Sequence, residues 1–349
     1  MAGLAGCVGG GDGNGDSDSN GGNNDDSGSG DGGGNQQSTT ISLGLGAQGT
    51  VSATTGQALQ SVVSNVGESV ELTGQTTAGF PPNVFLFNDN QIDGYTSASY
   101  VHWLSHNDLG AFAERSVDNL GQQGFTLALI QMHILAVEGS GIETYDDLAG
   151  EDVWLFPPAW GMHDLTKRLF KKVGLWSEME SNVSPIGIGD VAGAVEEGRV
   201  KAIAAFGLNR NSMGGLYLDI LSRAEFNLVE MSDEFKAAVE EQPGTIYETV
   251  ESEALYGDTD ETLDADEIGV YNYDVNLYFS GDIPAAPVKE LCQISHNNME
   301  ALKEAEPRYL DHGSIENMTI GITDAEPVHQ GAAAFFKEND EWKDSWEEG

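Results

Sequence analysis

Gly44, Gly46 and Gly49 stand in ISLGLGAQGTVSATTGQAL with G-x-G-x-x-G spacing, after an apolar stretch and before an amphipathic one. Glycines so placed bring bare backbone N–H groups to a helix N-terminus, where a dinucleotide pyrophosphate can be cradled. The same geometry serves a carboxylate, because the positive end of a helix dipole is worth about 0.3–2 kcal/mol to an anion. A dinucleotide also needs an acid about twenty residues on to bind its ribose, and Glu68 or Glu71 fills that place.

Other reactive side chains do not assemble into a set. His102 and His106 are four apart on one predicted helix face with Asp108 nearby, yet H-x-x-x-H without a third ligand is a poor zinc site, and a packed or solvated face is expected. His163 adjoins Asp164 in PPAWGMHD as a general base would, but no Ser or Cys stands in a strained elbow for it to serve. Neither Cys7 nor Cys292 has basic neighbours to lower its pKa, and Cys292 reads as a buried helical thiol. Asp16, Asp18, Asn20 and Gly21 match half of a calcium loop. Its twelfth position is Ser27 where a Glu is needed, and no helices flank it, so a spacer is expected. The chain therefore reads as a binding protein and not an enzyme, with no cofactor and no metal.

The elements that would position these residues alternate from Thr40 onward. ISLGLG predicts a strand, VSATTGQALQSVVSNV a helix and SVELTGQ a strand; a helix, a short strand near Tyr95 and another helix follow. FTLALIQMHILAV predicts a long apolar strand, with Leu127 to Val137 carrying the crossover between two lobes. EDVWLF predicts a strand, LTKRLFKKVGLW a helix, and GDVAGAVEEGRVKAIAAFG a helix with Asp190 as N-cap, closed near Gly198 before a strand. Residues 251–267 read as an acidic loop, IGVYNYDVNLYFS as a strand, and APVKELCQISHNNMEALK and the tail as helical. Such alternation predicts α/β architecture, with parallel sheets covered by helices and ligand loops at the strands' carboxyl ends.

The chain has 349 residues, 15 Lys and Arg against 57 Asp and Glu, and a formal net charge of −42. That balance excludes nucleic acid and an anionic membrane surface as partners, since both need basic patches. Self-repulsion on this scale suits a very salty medium, where the Debye length falls to about 3 Å. LAGC at Leu4 to Cys7 has the form of a lipobox, although Met1 to Gly6 lacks a signal peptide's charged and apolar parts, so the start codon is expected to lie further upstream. Residues 8–38 are almost wholly Gly, Asp, Asn and Ser and predict a disordered tether spanning roughly 30 Å. No run is long and apolar enough to span a bilayer.

ISLGLGAQGTVSATTGQAL, TTAGFPPNVFLF, GIETYDDLAGEDVWLFPPAWG and EPVHQGAAAFFKEND, in that order, resemble TAXI-type solute-binding proteins, the extracytoplasmic subunits of one class of TRAP transporters. The resemblance spans about Thr40 to Asp340 and, with the composition, points to a haloarchaeal member. It implies a type II periplasmic-binding-protein fold with a hinge, its two lobes of mixed or parallel sheet flanked by helices. Residues 1–39 would be lipobox remnant and tether, 40–132 and 265–349 lobe one, and 133–264 lobe two. A small organic acid or glutamate-like amino acid would bind in the cleft and pass to the TRAP transporter membrane subunits, the receptor being held to the outer membrane face by lipid on Cys7. Carried over by position, the first ligand turn is Gly46, Ala47, Gln48, Gly49 and Thr50. The second is Thr76, Thr77 and Gly79 with Asn83. The third is Pro158, Trp160, Gly161 and His163, and Asn209 with Arg210 ends the strand opposite. Leu45, Ser52, Ala53, Trp160, Met162 and His163 depart from the family's usual residues, moving bulk between the cleft walls. Arg210 is placed to pair with a carboxylate. A sensor ectodomain of the same fold, or a surface-anchored dinucleotide-dependent oxidoreductase, are the alternatives.

Overall fold

Alternating Ile41, Leu43 and Leu45, each at most 1% exposed, make Thr39–Gly46 the strand β1. The computed structural model describes residues 38–257, 259 and 263–349; Cys7, the tether and the half calcium loop lie outside them. Leu59, Val62 and Val63 form a buried stripe on α1 (Val51–Val66), each worth about 1.5–3 kcal/mol if fully buried. That stripe covers β1 and its parallel neighbour β2 (Val70–Thr76). Then come α2 (Phe80–Asn88), the strand β3 (Gly94–Ser97) and α3 (Ser99–His106).

β4 (Gln122–Val137) is a sixteen-residue strand buried along almost its whole length, which is why its apolar residues fall on both faces without alternation, with Gln131 and His133 among the buried polar exceptions. It is followed by β5 (Val153–Trp154), α4 (Gly161–Lys172), β6 (Ala202–Leu208), β7 (Ser212–Met213), β8 (Phe226–Leu228), β9 (Ile246–Glu251) and β10 (Glu267–Phe279). The main path of the sheet runs β2-β1-β3-β10-β4-β6-β5, with β7, β8 and β9 attached to β6, β4 and β10. Its ends are parallel, but β10 pairs antiparallel with both β3 and β4, and β4 antiparallel with β6, so the sheet is mixed. β4 meets β10 over Gln122–Met132 and β6 over Ile130–Ala136, carrying the chain from one end of the sheet to the other.

Three local expectations change. EDVWLF yields only two strand residues, because Phe156 turns into the left-handed region at φ +62°. Asp190 precedes the helix Val191–Glu196 without capping it: its own backbone is helical, closing a 3-10 turn, so its side chain makes no cap bond. The acidic stretch opens with a short helix, Ser252–Tyr256, because Leu255 and Tyr256 are buried. Cys292 is fully buried in the helix Ala285–Asn297, and burial pushes its thiol pKa up.

Candidate functional site

The first turn is built by backbone. Gly46 ends β1 at φ +141°, where an added Cβ would lie 2.6 Å from Ser52 Oγ. Ala47, Gln48, Gly49 and Thr50 then run exposed into α1. Thr50 holds the N-cap position but gives its hydroxyl to Ala47 O at 2.7 Å, and no acid lies in the first turn. The positive end of α1 is therefore uncompensated by side chains.

The second turn is tied to the first. Thr76 is in register with Gly46, and Thr77 N–H donates to Gly46 O at 3.1 Å. Gly79, at φ +119°, caps α2 without a side chain, and nothing lies within 4 Å of the place its Cβ would take. Asn83 has another role than the expected ligand contact. It is fully buried, its amide donating to Gly44 O at 3.1 Å and Thr96 O at 2.9 Å, so it pins β1 to β3 beneath the turns. Leu45, Ser52 and Ala53 are also buried, Leu45 packing beside Gly56 of α1, so these three positions line the core and not a cleft wall.

The third turn approaches from the other end of the sheet. His163 Nδ1–H donates to Leu155 O at 2.6 Å and Phe156 O at 3.1 Å, bracing the turn whose left-handed Phe156 is fully buried. Nδ1 of its ring is thus engaged in holding backbone. Pro158 is exposed, Trp160 half-buried at the N-cap of α4, and Met162 buried. Gly161 opens α4 where an added Cβ would sit 2.2 Å from Tyr273 Oη. Tyr273, on β10, stacks on Phe80 at the start of α2, centroids 6.0 Å apart and planes 9° apart. One tyrosine thus joins the N-termini of α2 and α4. In the sequence Tyr273 is marked only by its place two residues from Tyr271, between Asn272 and Asp274.

A second contact spans the same gap. Tyr100 of α3 donates its hydroxyl to Asp164 at 2.6 Å and accepts from Arg168 Nε–H at 2.9 Å. Burial first, then the Asp164 carboxylate, push the Tyr100 pKa up, so the hydroxyl stays protonated.

Arg210 stands apart from these turns. Its guanidinium is ion-paired with Glu248 and donates to Asn317 Oδ1 at 3.1 Å, so the carboxylate it binds is the chain's own. Asn209 is buried and accepts from Leu129 N–H at 2.7 Å. Both sit at positive φ, 55° and 54°, in a turn that braces β4. His102 Nδ1 and His106 Nε2 each lie 2.9 Å from Glu326 Oε1, and no group of three or more ligating side chains disposed to hold a metal occurs among the described residues. Glu68 and Glu71 sit near the start of β2, Glu71 beside Thr40 and roughly 17 Å of strand from the glycine turn, the wrong end for a ribose.

A search of curated proteins finds no match. Among solved structures, the periplasmic aliphatic sulphonate binding protein SsuA of Escherichia coli is similar at 15% identity and TM-score 0.41, over 86% of this chain and 92% of its own. A TctC solute binding protein from Polaromonas is similar at 12% identity and TM-score 0.47, over 78% and 88%. A TRAP periplasmic solute binding protein from Ochrobactrum anthropi is similar at 12% identity and TM-score 0.39, over 78% and 77%. The NMT1-like family matches residues 43–339, from within β1 to the end of the last helix, and the chain belongs to that family.

Proposed function

We propose that the protein is an extracytoplasmic receptor that captures a small organic anion or amino acid and hands it to a TRAP-type transporter, as a TAXI-type subunit. The observation that carries this reading is the meeting of helix N-termini from both ends of one sheet. α1 and α2 are joined by the Gly46–Thr77 hydrogen bond, and α4 reaches them through Tyr273. Backbone N–H groups at such termini hold a carboxylate without needing cations, which suits a chain with so few. In this reading 40–132 with 265–349 and 133–264 are the two lobes, β4 and β10 pass between them, and closure is a hinge motion biased by the ligand's preference for the closed form. Lipid on Cys7 and a salt-rich medium outside the cell complete the proposal. No helix of the described residues is long and apolar enough to cross a membrane.

The test is a thermal-shift panel of organic acids and amino acids in concentrated salt. A true ligand at a hundred times its Kd stabilises by about 2.7 kcal/mol. A panel that gives no saturable shift at any salt concentration sinks the receptor reading.

A further inference from the structure

In a chain with 57 carboxylates, a lysine or arginine without one is unusual. Eleven of the 15 basic residues pair with an Asp or Glu; Lys167, Arg168, Lys171 and Lys343 have no such pair among the described residues. Three of those four lie within five residues on α4 and line one pocket of about 480 Å³. Its far wall is Trp103 of α3, and its floor is the segment Glu241, Gln242 and Pro243. Gly244, next along, presses against α3 so closely that an added Cβ would lie 2.3 Å from Tyr100 N.

Arg168 and Lys167 are held in place by groups other than carboxylates. Arg168 lies over the Trp103 ring at 5.0 Å and donates to the Tyr100 hydroxyl at 2.9 Å. Lys167 lies over Trp176 at 4.9 Å. Lys171 has no hydrogen-bond or ion-pair partner among the described residues. Of the two acids in the lining, Asp164 takes the Tyr100 hydroxyl and Glu241 pairs with Lys172 at 3.1 Å. Lys167 with Lys171, and Arg168 with Lys172, are like charges one helical turn apart, which destabilises an isolated helix by a few tenths of a kcal/mol per pair. A multivalent anion removes that repulsion. The volume is that of a small-molecule site, and Trp103 supplies its apolar wall.

We propose that this pocket binds a small oxyanion of two or more charges, of the phosphate, sulfate or polycarboxylate class, across the seam between α3 and α4. Because its walls come from both helices, occupancy favours the arrangement in which Tyr100 meets Asp164 and Arg168. The binding step does not depend on the receptor reading, since none of the three glycine turns contributes to the pocket.

The test titrates the whole chain with citrate, inorganic phosphate and sulfate at matched ionic strength, following tryptophan emission, with Trp103→Phe to isolate the Trp103 signal. A K167Q/K171Q double variant removes two charges that hold no backbone, and its melting curve checks its fold. The expected result is a saturable Trp103 signal with at least one of the three anions, and a Kd raised tenfold or more in the double variant. The proposal is overturned by the absence of a saturable signal with all three, by an unchanged Kd in the double variant, or by a glutamate-rich peptide binding where the small anions do not. The double variant should keep any thermal shift given by the amino acids and monocarboxylates of the panel, which lack the charge this pocket requires, so loss of this site and loss of the receptor reading are told apart.

Discussion

At the residue scale, Tyr273 separates support from recognition. Its ring is clamped between Phe80 and the start of α4, while its hydroxyl lies where a Cβ on Gly161 would collide with it. Tyr273→Phe keeps the ring, so stability should change by less than about 0.5 kcal/mol. If the hydroxyl touches the guest, affinity for whichever acid the thermal panel identifies should fall about tenfold, the ordinary worth of one hydrogen bond. Titration calorimetry of the two proteins decides. Asn83 is the opposite case. Asn83→Ala removes the amide bonds to Gly44 O, which keeps the Thr96 hydroxyl at 3.3 Å, and to Thr96 O, and should cost about 1–3 kcal/mol in urea unfolding. Two buried histidines set a pH dependence. Burial holds His133 down to about 4 and His312 down to about 3, against about 6.5 in an unfolded chain. Each is neutral when folded and gains a proton on unfolding below 6.5, so their contribution is complete above that pH and is lost as pH falls toward 4 and 3. Asp274 runs the other way. Burial pushes it up to about 6, so its contribution is present in acid and lost as pH rises through 6. His133→Gln should therefore reduce the stability difference between pH 7 and pH 4.5 by about 2 kcal/mol, measured by urea unfolding at the two pH values. An unchanged difference would mean that His133 is already charged in the native state.

At the element scale, close approaches rather than side-chain chemistry fix the geometry. The helix Gln330–Glu338 lies so near Ala285–Asn297 that a Cβ on Gly331 would fall 2.2 Å from Ala285 O, while His329 caps its start and reaches Ile283 O at 3.0 Å. Gly331→Ala should cost about 2–3 kcal/mol, because a backbone atom cannot rotate away as a side chain can. Gly161→Ala meets the end of the Tyr273 ring, its hydroxyl at 2.2 Å and Cζ at 3.0 Å, so it should displace that ring and lower ligand affinity as well as melting temperature. These contrasts mark what a sequence carries. The period of α1 and the largely apolar run of β4 were legible because burial on one stripe or on both faces writes itself into residue order. The three glycine turns were legible as turns. The antiparallel core was not, since strand direction depends on which segments meet and not on the composition of either. The partners of Asn83, His163 and Arg210 were equally hidden: an amide, an imidazole and a guanidinium look the same in sequence whether they face a guest, a carbonyl or a Glu248 across the fold.

At the scale of the whole molecule, a net charge of −42 works against compactness, and the few short-range pairs that cross the gap between α3 and α4 must hold against it. Tyr100 carries the hydrogen bonds there, to Asp164 and from Arg168, with Arg168 also stacked on Trp103. In dilute buffer, repulsion between carboxylates extends over tens of ångströms; in molar salt it shrinks to about 3 Å, whereas contacts made at hydrogen-bond distance are screened far less. Two consequences are expected together. Unfolding free energy should rise with sodium chloride well into the molar range, instead of levelling off near physiological strength. Tyr100→Phe, which deletes both hydrogen bonds but keeps the ring, should leave the native protein folded while raising its radius of gyration in small-angle scattering at low salt, with the excess closing as salt is added. A variant that stays as compact as its parent in dilute buffer would show that the α3–α4 contacts follow closure instead of holding it. A stability that is flat in salt would show that the acidic surface carries no destabilising field, and the reason for so lopsided a composition would then have to be sought outside folding.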